Sequence, residues 1–166
     1  MIMKNENNGG NEGGTVTVEP LVILQDGVYT SDITFLTGSG TGWRVTTMSD
    51  PQAVYLSVSS SAQYNYVATT TTKMIDFSLY TKLTIRFSGS VGSSGGSMSF
   101  DCTSNQFCAN SALDGSNSTI MSNTSGVIST EFDISGRNDT GYLALCALSS
   151  SLNEYASMLL YDLKLS

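Results

Sequence analysis

The chain has 166 residues, enough for one packed core without metal or disulfide staples, and its 40% hydrophobic content is more than a disordered chain carries. Seven basic against 14 acidic residues leave a net charge of −7, which repels phosphate backbones and anionic lipid and argues against nucleic acid or a membrane as partner. Histidine is absent, which removes the commonest general base near neutral pH and the commonest zinc ligand.

Residues 1–14 open with Met1-Ile2-Met3 and continue as a run of Asn, Glu and Gly, a flexible arm too poor in apolar surface to fix itself. The arm lacks the apolar stretch of a signal peptide, and no run of about 18 apolar residues follows, so synthesis in a cytoplasm is expected. Residues 15–166 read as a single domain. Thr15 to Val18 alternates, Leu21 to Leu24 is a short apolar run, and Asp26-Gly27 signals a turn. Val28 to Leu36 is rich in β-branched and aromatic residues, as in a strand or a pair of bridges. The Gly-rich stretch 37–42 reads as a loop that delivers Trp43 and Val45 to one face and Arg44 and Thr46 to the other.

After the Ser49-Asp50-Pro51 turn, Val54, Leu56 and Val58 alternate with Tyr55 and Ser57, and Tyr64 and Tyr66 share a face of the next strand. Ile75, Phe77 and Leu79 lead into the clearest strand of the chain, where Leu83, Ile85 and Phe87 alternate with Lys82, Thr84, Arg86 and Ser88. Met98, Phe100 and Cys102 share a face, and the return through Phe107 and Cys108 has the spacing of a hairpin. Residues 109–126 form a long polar connection with one short strand around Ile120. Ile128, Thr130, Phe132 and Ile134 alternate again, Tyr142 to Leu148 is apolar on both faces as in a covered central strand, and Leu159, Tyr161, Leu163 and Leu165 read as one face of the last strand. Roughly eight to ten short strands without a helical window predict an all-β fold, an antiparallel two-sheet β-sandwich of jelly-roll type.

No set of residues amounts to a reaction or a cofactor site, and no cofactor is expected. Glu131 and Asp133 leave one strand face about 7 Å apart, a spacing that glycosidase chemistry can use, but solvent-facing charge on an amphipathic strand accounts for them. A serine nucleophile would need a base that nothing marks. Asp26, Asp32, Asp50, Asp114 and Asp139 lie near loops without the spacing of a calcium loop, so no metal ligands are assigned. The three cysteines, 102, 108 and 146, are too few for a disulfide framework and read as small buried hydrophobes, although 102 and 108 could face each other across a hairpin. The Asn-x-Ser/Thr triplets at Asn117, Asn123 and Asn138 are ordinary in so polar a chain. Tyr64 and Tyr66, with Tyr55 on the preceding strand, could form a surface on which a sugar ring stacks, and Trp43 is either a core plug or a second such platform.

Several runs together, Thr30-Ser-Asp-Ile-Thr with Trp43, Val54-Tyr-Leu-Ser, Lys73 to Ile85, Glu131-Phe-Asp-Ile-Ser, Gly141-Tyr-Leu-Ala-Leu and Met158 to Leu165, resemble the β-sandwich modules at the ends of tail, baseplate and head-fibre proteins of phages of Gram-positive bacteria. They also resemble carbohydrate-binding modules more broadly. Those phage proteins often carry Ile-Thr-Gly-Gly-Trp, where this chain has Ile33-Thr-Phe-Leu-Thr with Trp43 further on. The resemblance implies a non-enzymatic virion surface protein, commonly trimeric, made in the host cytoplasm. It further implies anchoring to capsid or tail proteins through the arm, with Met1, Ile2 and Met3 as the apolar contact, and contact with host-surface glycans. Two alternatives follow: a carbohydrate-binding module outside a virion and, more remotely, a glycoside hydrolase dependent on Glu131.

Overall fold

The computed structural model describes residues 18–59, 65–91, 97–109, 119–121, 126–149 and 155–166. The strands are β1 Leu21–Gln25, β2 Val28–Tyr29, β3 Gly38–Gly40, β4 Trp43–Ser49, β5 Gln52–Ser59, β6 Asn65–Thr70 and β7 Ile75–Asp76. They continue with β8 Lys82–Val91, β9 Ser97–Thr103, β10 Cys108–Ala109, β11 Thr119–Met121, β12 Ile128–Asp133, β13 Thr140–Ser149 and β14 Tyr155–Leu165. The first sheet runs β12-β8-β14-β5-β4-β3, with the β1-β2 hairpin also on β14; the second runs β10-β6-β13-β9-β11, with β7 on β13. Within these, β5-β14-β8-β12 faces β6-β13-β9-β11, and the chain changes sheet at each step through β5, β6, β8 and β9 and again through β11, β12 and β13 to β14. That is the connectivity of an eight-stranded jelly roll, all antiparallel.

The alternation read from the sequence explains the core. Leu83, Ile85 and Phe87 of β8 are fully buried, as are Val54 and Leu56 of β5 and Leu145 of β13. Central β13 also buries Ala144 and Cys146 on its other face, as its two-sided apolar pattern predicts. At the β12 edge, Phe132 reaches across to Phe100 of β9 with ring centroids 4.8 Å apart in edge-to-face geometry, which closes that side of the sandwich.

Four expectations are corrected. First, β9 and β10 do not form a hairpin. The chain crosses over β6 and β13 to the opposite edge of the second sheet, so Cys102 and Cys108 lie three strand spacings, about 14 Å, apart and cannot form a disulfide. Second, the glycine-rich loop contains a strand, β3, paired with β4; a Cβ at Gly40 would overlap the Trp43 indole, so glycine lets the ring lie flat against the edge. Third, Leu79 is exposed, because Phe77–Leu79 winds into a short 3-10 turn capped by Asp76, whose carboxylate accepts the Ser78 N–H at 3.1 Å.

The fourth correction lies in β14. Ala156, Met158 and Leu160 are buried, and then Leu163 and Leu165, so the inward parity changes at a bulge between Leu160 and Asp162. Leu159 and Tyr161 therefore leave the core face on which simple alternation places them. The bulge sits where two hairpin tips meet beside β14: β5 pairs with its first half and β1 with its second. Asp26 and Gly27, both at positive φ, turn the β1-β2 hairpin, and Gly27 N–H donates to the Tyr161 carbonyl at 2.7 Å. Val28 to Leu36 resolves into β2 and the single bridge Phe35–Thr71.

Candidate functional site

The sequence singles out four aromatics, and the fold does not bring the described ones together. Trp43 stands on the inner face of the first sheet, half-buried against the core and over β3, with Cys108 of the second sheet close by. It is a plug closing the edge of the sandwich opposite Phe132. Tyr66 on β6 pairs with Leu148 and points away from the core residue Val67, onto the outer face of the second sheet. Tyr55 on β5 lies between the core residues Val54 and Leu56 and so points to the outer face of the first sheet. Tyr55 and Tyr66 thus face opposite sides of the molecule, because the chain changes sheet between β5 and β6. Tyr64 and the arm residues Met1, Ile2 and Met3 lie outside the described residues.

The carboxylate pair is engaged locally. Glu131 forms an exposed ion pair with Lys82 at 3.1 Å, across the β12-β8 ladder. Asp133 accepts the Ser135 hydroxyl at 2.6 Å and its N–H at 2.9 Å, bonds that hold its carboxyl below the usual range. Both side chains act as surface charge and turn cap.

The outer face of the first sheet has two unlike halves. At the bulge, Arg86 of β8 binds Asp162 through Nε and, at 3.2 Å, through a terminal nitrogen, which also reaches Asp26 at 2.5 Å. Its guanidinium lies over the Tyr161 ring, 5.4 Å from the centroid, and the Tyr161 hydroxyl is 3.4 Å from that of Ser88. Asp26 N–H donates to Asp162 at 2.5 Å. Partial burial raises the Asp162 carboxyl, but the Arg86 and Asp26 bonds outweigh it and hold the group below the ordinary range, while Arg86 is pushed up, chiefly by its bond to Asp162.

The other half is a surface depression of about 290 Å³ lined by Arg44, Thr46, Met48, Asp50 and Tyr55. The β4-β5 hairpin builds it. Counting outward from the two-residue Asp50-Pro51 loop places Thr46 opposite Tyr55 and Arg44 opposite Ser57, with Ser39 of β3 on the other side of Arg44. Tyr55 also stands opposite Leu159, which the bulged strand presents on this face. No protein-family model matches the chain, and no curated protein matches it. The depression therefore has to be read from its own chemistry: a flat aromatic, several hydroxyls, a thioether, a guanidinium and, at the hairpin end, the Asp50 carboxylate, open to solvent.

Arg44, Thr46 and Met48 went unassigned at the sequence level, although alternation already sets them on one face. The missing step was the strand pairing that puts Tyr55 beside them. The thiols offer no rival chemistry. Cys102 is pushed up to about 12, by burial first and then by the Asp139 carboxylate, and burial raises Cys108, so neither is a thiolate at neutral pH. Among the described residues no cluster of three or more Cys, Asp or Glu is placed to hold a metal ion.

Proposed function

We propose that the chain is a non-enzymatic surface component of a phage virion, a jelly-roll sandwich tethered to capsid or tail through residues 1–14, with the outer face of the first sheet turned to host glycans. The observation that carries this reading is the separation of tether and face. β1 begins at Leu21 opposite Leu165, so the described chain that follows the arm joins the sheet at that end of β14. Tyr55 stands opposite Leu159, about 20 Å back along β14 by strand rise. A particle bound at the first end leaves the depression clear. The resemblance to phage head-fibre and tail modules points the same way, and trimerisation belongs to the same proposal.

The test is co-sedimentation of the full chain and of residues 15–166 with particles that lack this protein. Pelleting of the full chain alone supports the arm as anchor. If neither pellets, the virion reading fails, and a carbohydrate-binding module outside a virion, which needs the Tyr55 face but no arm, becomes the better reading.

A further inference from the structure

Resting on the reading that this face meets glycans, we propose that the depression selects an acidic sugar, a pyranose whose carboxylate is held by Arg44 while its ring lies on Tyr55. Lys73 pairs with Asp32, Lys82 with Glu131, Arg86 with Asp162 and Asp26, and Arg137 with Asp101 and Asp139. Among the described residues Arg44 and Lys164 have no such partner, and of these two Arg44 lines the depression. In a chain with 14 acidic and 7 basic residues, carboxylates to neutralise it are in surplus, yet its cross-strand neighbours are Ser39 and Ser57.

Geometry then narrows the ligand. A guanidinium presents a planar fork that matches a carboxylate bidentately, whereas sugar hydroxyls alone need no positive charge. Thr46 separates Arg44 from the hairpin end and lies directly opposite Tyr55, so the ring and the guanidinium are neighbours on one face. Asp50, the acidic group in the depression, lies beyond the far end of β4. Strand rise sets its backbone about 20 Å from that of Arg44, and no ion pair joins the two side chains. The net charge of −7 opposes loose binding of polyanions elsewhere, which favours recognition of one carboxylate at one place.

The full chain should be titrated by NMR at low salt with methyl glycosides of glucuronic and galacturonic acid, with their neutral glucose and galactose counterparts, and with acetate. The expected result is about tenfold tighter binding of an acidic glycoside than of its neutral counterpart, and no measurable response to acetate. Arg44→Gln should bring the acidic glycoside down to the affinity of its neutral counterpart, whereas Tyr55→Ala should weaken both, with circular dichroism showing each variant folded. Equal affinity for acidic and neutral sugars, acetate binding as tightly as the glycoside, or a preference that survives Arg44→Gln would each overturn the inference while leaving glycan contact standing. Binding of no sugar would overturn both, and co-sedimentation through the arm decides the anchoring separately.

Discussion

Arg86 and Arg44 occupy the same outer face of the same sheet, and among the described residues only one of them is matched. Arg86 is fixed by two carboxylates and an aromatic ring at the point where the β1-β2 tip, the β14 bulge and the middle of β8 converge. Arg44 stands on β4 between two serines, over a depression. A charge on one strand whose partners come from a second strand and from a hairpin turn is part of the fold, because it holds a junction that hydrophobic pairing alone leaves frayed. A charge left unmatched in an acidic chain is free for something outside it.

The largest effect expected from this contrast comes from Gly27→Ala. A Cβ there would overlap the Gln52 carbonyl, and the residue's φ of +76° is one that L side chains rarely adopt. The two hairpin tips could no longer abut, and urea unfolding should show a loss of about 2–4 kcal/mol. Next comes Arg86→Gln, which leaves Asp162 and Asp26 facing each other without a cation. With its side chain a third exposed, solvent screening reduces the cost to about 1–2 kcal/mol, and added salt should narrow the difference from the parent protein.

The acid limb of the stability curve isolates Asp162. Its folded carboxyl is held below its unfolded value, so its contribution is complete above about pH 4 and is lost as pH falls through the depressed folded value. Asp162→Asn should therefore show a shallower fall in stability below about pH 4 than the parent chain. Asp32 and Asp133 are also held low, by Lys73 and by Ser135, so a residual slope should remain. An unchanged slope would mean that the junction does not rely on this carboxylate.

How much of this was legible in the sequence depended on how local each signal is. The Asp26-Gly27 turn, the period-two strands β5 and β8 and the doubly apolar β13 follow from residues within a few positions of one another. The crossover from β9 to β10 does not, because Cys102 and Cys108 carry the same spacing whether the chain returns beside itself or passes over two strands. The bulge at Tyr161 was hidden for a related reason. Leu159, Tyr161, Leu163 and Leu165 alternate without a fault, and the parity change shows only in the pairing of β14 with β8 and in which side chains are buried, where the Gly27 N–H reaches the Tyr161 carbonyl from the far end of the chain. The joining of Tyr55 to Tyr66 in one platform was hidden at the same level, since the two are separated by a change of sheet that no local pattern records, while Tyr64 lies outside the described residues.

The smallest expected change in stability is the most informative. Arg44→Gln touches no ion pair among the described residues, and an exposed substitution of this kind should shift the unfolding free energy by about 0.5 kcal/mol or less. Set beside Arg86→Gln, this makes the two arginines of one face a matched pair, with the same side chain and the same substitution. Thermal unfolding of both variants side by side checks it. A loss at Arg44 comparable to that at Arg86 would show that the fold already uses this guanidinium, and the depression would then lose the charge on which acidic-sugar recognition depends. A silent Arg44→Gln leaves the guanidinium with no structural task, and its place beside Tyr55 then has to be explained by what the depression binds.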